Sequence, residues 1–151
     1  MNTFEELEIN EDVMRSIKEL GFTTPFPIQA QAIPELLRGN DVIGQAHTGT
    51  GKTATFGIPM LQNIIHGGGI QGLVIAPTRE LGQQIYSNLV AYASENPSIS
   101  MASVCGGIPI KPQIERLKAT THIVVATPGR LVDLVKRGAI NLKQLASLVL
   151  D

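Results

Sequence analysis

Ala46-His47-Thr48-Gly49-Thr50-Gly51-Lys52-Thr53 lies between two apolar stretches. Before it runs Asp41-Val42-Ile43-Gly44-Gln45, short and apolar enough for a buried strand. After it, residues 54–65 are long enough for a helix. The octapeptide has the spacing of a phosphate-binding loop that closes on Gly-Lys-Thr. A strand that enters a glycine turn and leaves as a helix gathers backbone N–H groups around one concavity, and the helix N-terminus adds partial positive charge there. Gly49 and Gly51 permit positive φ and keep Cβ atoms away from a polyphosphate. Thr48 and Thr50 complete the loop, Lys52 supplies a point charge, and Thr53 offers a hydroxyl placed to ligate Mg²⁺. The bland alternative is a chance match in a glycine-bearing turn; the flanking strand and helix weigh against it.

The chain has 151 residues, enough for one domain with a core. Hydrophobic residues make up 43% and charged residues 17%, a balance that excludes a disordered chain and suits a globular α/β protein. A net charge of −1 provides no bulk positive field, so any nucleic-acid binding must come from local groups. Cys105 is the one cysteine, which excludes an internal disulfide and a cysteine-built metal site and suits a reducing compartment. The acidic first residues lack the pattern of a secretory signal, and no stretch reaches membrane-spanning length. A cytoplasmic location is expected.

Along the chain, Asn10 is a candidate N-cap, with Val13, Ile17 and Leu20 at helical spacing and Gly21 as the stop. Residues 23–27 form a proline-bearing loop, and residues 28–37 a helix that Pro34 would kink or restart. From residue 72 a repeated alternation appears. Strands are expected at 72–76, 99–104, 122–126 and 148–150, with helices at 79–94, 112–119 and 129–137. Alternating strands and helices predict right-handed βαβ crossovers and a parallel sheet with helices on both faces.

In such a sheet, ligands bind beyond the carboxyl ends of the strands. The turns there share one chemistry. Pro77-Thr78-Arg79 and Thr127-Pro128-Gly129-Arg130 each place a guanidinium beside a helix N-terminus, where Thr78 and Thr127 can cap and Pro128 suits the first helical position. Gly106-Gly107 allows close backbone approach. Together they form a row of single-anion sites, which is what a nucleic-acid strand offers. Taken singly, each turn could be ordinary helix capping; three in series favour a binding edge. Asp151 follows an apolar strand, where in nucleotide-hydrolysing folds an acid reaches Mg²⁺.

These residues resemble the DEAD-box ATP-dependent RNA helicases over nearly the whole chain. Residues 21–29, ending in Phe26-Pro27-Ile28-Gln29, are similar to that family's Q motif, with Phe4 at the place of its isolated upstream aromatic residue. The glycine loop resembles motif I, Pro77 to Leu81 motif Ia, Gly106-Gly107 the GG motif and Thr127 to Arg130 motif Ib. Asp151 stands where the Asp-Glu-Ala-Asp motif begins.

The resemblance implies a RecA-like phosphate-loop α/β fold, incomplete at its C-terminal end. It implies a Q-motif region over 1–40 and part of a first RecA-like domain over 41–151. The cofactors would be ATP and Mg²⁺, with Lys52 and Asp151 in catalytic roles and Thr53 and Asp151 on the metal. Gln29 would read the adenine edge and Phe22 would stack on the base, where the bland reading is a core aromatic. The Pro77–Arg79, Gly106-Gly107 and Thr127–Arg130 turns would grip RNA backbone without reading sequence. The resemblance also implies a glutamate after Asp151, a Ser-Ala-Thr strand between the phosphate-loop and Asp151 strands, and a second RecA-like domain carrying arginine fingers. Their absence from these 151 residues would leave a gap in the sheet. Phe26 departs from the family pattern and is expected only to pack; His47 fills a variable position and is expected to be solvated. Two rivals differ in class. One is a non-catalytic ATP- or RNA-binding fragment, favoured by the missing glutamate. The other is a small nucleotide kinase, disfavoured by Gln29 and the three backbone-gripping turns.

Overall fold

Asn10 begins the first helix as its pattern predicts. The side chain accepts the Val13 N–H at 3.1 Å, and Glu11 and Asp12 occupy the first turn of α1 (Glu11–Glu19). Upstream, Phe4–Leu7 form one 3₁₀ turn that buries Phe4 and Leu7. Leu20, expected on the buried face of α1, sits at its C-cap and is exposed. Helices α2 (Pro27–Leu37) and α3 (Lys52–Gln62) follow, and Pro34 lies inside α2 without restarting it. Next come β1 (Gly72–Ile75), α4 (Arg79–Tyr92), β2 (Met101–Val104), α5 (Ile110–Lys118), β3 (Ile123–Ala126), α6 (Pro128–Lys136) and β4 (Ser147–Leu150). The computed structural model describes residues 3–151, which fall into two compact units. One is the chain up to Asn63 with Asn88–Pro97; the other is Ile64–Ser87 with Ser98–Asp151.

The first unit is helical. Val13 and Ile17 of α1, Ala32 and Ile33 of α2, Ala54, Ile58 and Leu61 of α3, and Leu89 and Tyr92 near the end of α4 are all buried. Gly57 lets α3 come close to Leu89: a Cβ there would lie 2.7 Å from Leu89 Cδ2. Residues 41–45 correct the sequence expectation, since they form no strand. Val42 is exposed, and so is Ile43. A strand exists only through ladder bonds to a neighbour, and no strand among the described residues pairs with this segment.

The second unit holds the sheet, all parallel, in the order β2-β3-β1-β4. Both faces of its central strands are buried, as the continuous apolar runs require: Ile123, Val124, Val125 and Ala126 are all fully covered. On one face, Leu73, Val104, Val124 and Ala126 pack with Ile110, Ile114 and Leu117 of α5 and Leu131 and Leu134 of α6. On the other, Gly82 of α4 approaches the sheet so closely that a Cβ would lie 2.9 Å from Cys105 Sγ and 3.8 Å from Val125 Cγ1. β4 closes one side as an edge strand, with Leu148 and Leu150 exposed. No helix among the described residues is long and apolar enough to cross a membrane.

At the opposite end of the strands, His122 is buried and its Nδ1 accepts the Ser100 N–H at 3.0 Å. The ring proton therefore sits on Nε2, which finds no hydrogen-bond partner among the described residues; the His66 ring stands edge-on, with centroids 6.3 Å apart. Burial, and secondarily His66, lowers the His122 pKa below its ordinary 6.5. The unfolded chain then takes up this proton before the folded one does. Stability from the neutral ring is complete above pH 6.5 and is lost as pH falls through 6.5 toward the lower folded value. We expect the melting temperature of wild type to fall between pH 7.5 and 5.5 more steeply than that of His122→Asn. Parallel melting curves across that window would remove His122 as the cause.

Candidate functional site

In the first unit the site is built from the start of α2 and the start of α3. Gly51, the N-cap of α3, has φ 74, and no side chain caps that helix. Its first N–H groups are thus left for a ligand. The helix starts at Lys52, two residues earlier than expected, because Gly51 turns the chain directly into it. Lys52 forms no ion pair among the described residues. Thr50 Oγ1 donates to the His47 carbonyl at 2.6 Å, bracing the loop from within, and His47 is exposed as expected.

Gln29 is 1% exposed and ties the two helix starts together. Its Oε1 accepts the Phe26 N–H at 2.9 Å, and its Nε2 donates to the Gly51 carbonyl at 3.1 Å. That carbonyl also accepts from Thr55 Oγ1 at 3.1 Å. The contact depends on Gly51 having no side chain, since a Cβ there would overlap the Gln29 amide and lie 3.2 Å from Phe26 Cδ2. Phe26 is 48% exposed and its ring edge packs beside Gly51 at this point. Phe22 is half-buried between Phe4 and Tyr92, each 5.7 Å away between ring centroids. No sequence signal pointed to the Gln29–Gly51 bond, because its partners are 22 positions apart and one of them is a backbone carbonyl.

In the second unit the parallel register brings together the carboxyl ends of all four strands. Thr78 Oγ1 accepts the Leu81 N–H at 3.2 Å and caps α4 as its position predicts. Thr127 behaves differently. Its hydroxyl accepts the Gly106 N–H at 2.9 Å and makes no cap bond to α6, whose first turn is therefore open at Pro128 and Gly129, both exposed. The capping expected of Thr127 is corrected: the nearby glycine amide takes the hydroxyl's lone pair instead.

The two arginines also turn toward the turn at 106–108. Arg79 Nη1 donates to the Gly107 carbonyl at 3.4 Å and Nη2 lies 3.7 Å from Glu80. Arg130 Nη1 donates to Gln113 Oε1 at 2.6 Å and Nη2 to the Ile108 carbonyl at 2.9 Å. Gly107 has φ 83, a conformation that favours glycine. The turns at 77–79, 106–108 and 127–130 are thus one hydrogen-bonded cluster. Asp151 lies beside it, exposed, its N–H donating to the Ile75 carbonyl at 3.1 Å. Gln113, which sequence reasoning missed, is a buried member of this cluster. Its only signal was a polar residue on the core-facing side of α5.

Gly51→Ala is expected to lower unfolding stability by about 1–3 kcal/mol, combining the left-handed backbone penalty with displacement of the Gln29 amide. In a Gln29→Ala background the loss should shrink toward the backbone term alone. Equal losses in both backgrounds, read by chemical denaturation, would show that the two residues do not interact.

Residues 26–151 match the DEAD/DEAH box helicase family. Over 149 residues the chain is 49% identical to the DEAD-box ATP-dependent RNA helicase CshA of two Streptococcus pneumoniae strains, TIGR4 and R6. The alignment covers 98% of this chain and 28% of each relative. Among solved structures, a DEAD box protein from Methanococcus jannaschii superposes with a TM-score of 0.94 at 36% identity, covering all of this chain and 41% of that one. A hypothetical ATP-dependent RNA helicase from Sulfolobus tokodaii gives 0.85 at 39% identity, covering 95% and 41%. The chain thus spans under a third of the length of the curated relatives it matches. Its sheet is that of a RecA-like α/β domain, and the chain belongs to the DEAD/DEAH box helicase family.

Proposed function

We propose that this chain is the ATP-binding and RNA-gripping part of an ATP-dependent RNA helicase that separates short duplexes locally. Residues 1–40 would form its Q-motif region and residues 41–151 part of its first RecA-like domain. A second RecA-like domain of the same protein would complete both sites, and the protein would act in the cytoplasm. The observation that carries this reading is the hydrogen-bonded cluster of three turns at the carboxyl ends of the strands, with the N–H groups of Gly129 and Arg130 uncapped by any side chain and two guanidinium groups. Such an array suits successive phosphates of one strand and offers nothing that distinguishes bases. The names of the curated relatives, RNA helicases, support it.

The first unit fits ATP. An uncapped helix start, a glycine at φ 74 and a lysine with no carboxylate partner among the described residues suit a triphosphate. Lys52 would balance charge on the outer phosphates, and the Thr53 hydroxyl suits Mg²⁺. Bound ATP supplies the free energy of phosphate cleavage. Gln29 retains one amide hydrogen and one lone pair beyond its bonds to Phe26 and Gly51, the donor–acceptor pair that meets adenine N7 and N6–H. Phe22, steadied by Phe4 and Tyr92, would stack on the base.

Two measurements on the complete protein test this reading. Gln29→Ala should reduce the preference for ATP over GTP by at least about tenfold, because a site built to hydrogen-bond a base loses discrimination with that partner. The ratio is the readout because loss of the Gly51 contact weakens both nucleotides alike; an unchanged ratio removes Gln29 from base reading. Arg130→Ala should weaken binding of two unrelated single-stranded RNAs equally and lower the salt slope by about 0.7. If one RNA is spared, the edge reads sequence.

A further inference from the structure

Arg130, like Arg116, is held by neutral oxygens, unlike most arginines of this chain. Arg15, Arg38 and Arg137 each lie against a carboxylate. Arg130 makes no ion pair among the described residues. Its two hydrogen bonds go to neutral oxygens, the Gln113 side-chain carbonyl and the Ile108 backbone carbonyl. Neutral acceptors fix the direction of a guanidinium and leave its charge uncompensated. The remaining N–H groups of its fork stay available to a phosphate.

Gln113 is the buried half of that arrangement. It is 6% exposed, and its Nε2 donates to the Cys105 carbonyl at 3.0 Å. Only the amide nitrogen can donate to a carbonyl, and only the amide oxygen can accept from a guanidinium, so the orientation of the side chain is fixed by its two partners. Cys105 directly follows β2 and precedes Gly106, whose N–H is held by Thr127. One amide therefore links the end of β2 to the first turn of α6. A glutamate of the same length would reach Arg130 equally well. It would neutralise the guanidinium and set a carboxylate oxygen against the Cys105 carbonyl with no proton between them.

We propose that Gln113 is the positioning residue for the RNA-backbone grip: it orients the Arg130 guanidinium toward a phosphate while leaving its charge intact. The proposal rests on the reading of this edge as the RNA-contacting surface. Gln113 itself touches no RNA. It acts through Arg130, and its identity as an amide rather than an acid is what the function requires.

The test uses the complete protein, a fluorescein-labelled oligouridylate and a saturating non-hydrolysable ATP analogue, with salt titrations for wild type, Gln113→Leu, Gln113→Glu, Arg130→Ala and the double variant Gln113→Leu/Arg130→Ala. Gln113→Leu should weaken RNA binding about tenfold, the scale of losing one hydrogen bond that orients a charged group. In the Arg130→Ala background the same change should have little further effect, because the group it orients is gone. Gln113→Glu should also lower the salt slope, by about 0.7, through charge neutralisation. Affinity for the ATP analogue without RNA should stay at the wild-type value in each variant. If Arg130→Ala leaves RNA affinity unchanged, the reading of this edge as an RNA grip is overturned. If Arg130→Ala weakens binding and both Gln113 variants do not, the positioning role is overturned and the grip stands. If Gln113→Leu weakens binding equally with and without Arg130, Gln113 acts by general support of the fold and the proposal fails. Should Gln113→Leu not fold, Gln113→Glu alone decides by its salt slope: a slope equal to wild type overturns the proposal.

Discussion

Ile75, Val104, Ala126 and Leu150 lie on one line across the sheet, because every pairing is parallel and in register. That alignment is the constraint from which the candidate RNA edge follows. Parallel strands all leave the sheet on the same side, so each must be followed by a turn there and a return crossover. Residues near positions 77, 106, 127 and 151 become neighbours for this reason alone. The hydrogen bonds among them, from Gly106 to Thr127 and from Arg130 to Ile108, refine an encounter that the backbone has already arranged.

The same edge shows why the type of partner matters more than the number of contacts. The i,i+3 and i,i+4 pairs of Arg38 with Glu35, Lys118 with Glu115 and Arg137 with Asp133 are short and exposed, and pairs of that kind are worth little in water. The bonds around the turn at 106–108 involve backbone carbonyls and one buried amide. They constrain positions of the main chain, and the loop at Gly107 holds its positive φ with Arg79 directly beside it. A polar cluster of this sort specifies a shape, which surface ion pairs do not.

Much of this was legible from residue order. Apolar runs bounded by turn residues placed all four strands of the sheet, and Arg79, Pro128 and the region of Pro112 marked helix starts to within two residues. What escaped has a common physical cause. Residues 41–45 have a strand's composition, yet a strand is a relation between two segments, and no strand among the described residues pairs with them. Thr127 has the position of a local cap, but a tertiary donor, the Gly106 N–H, takes its hydroxyl. Gln113 and the Gln29–Gly51 bond are long-range contacts to backbone carbonyls, which carry no side-chain identity for a pattern to register. The glycines at 51 and 107 could be assigned to turns by type; that each also clears space for a particular side chain, Gln29 and Arg79, required coordinates.

The aromatic trio of Phe4, Phe22 and Tyr92 has an optical consequence. The chain contains no tryptophan and two tyrosines. Tyr92 belongs to the helical unit, where it is buried with its ring edge-on to Phe22 and its phenol pKa pushed up by burial; Tyr86 belongs to the unit that holds the sheet. Each unit therefore carries one tyrosine of its own. Tyrosine emission, compared with and without a Tyr86→Phe change, separates the packing around Tyr92 and its neighbour Phe22 from the rest. The molecule reports on the packing of its Phe22 loop without any added label.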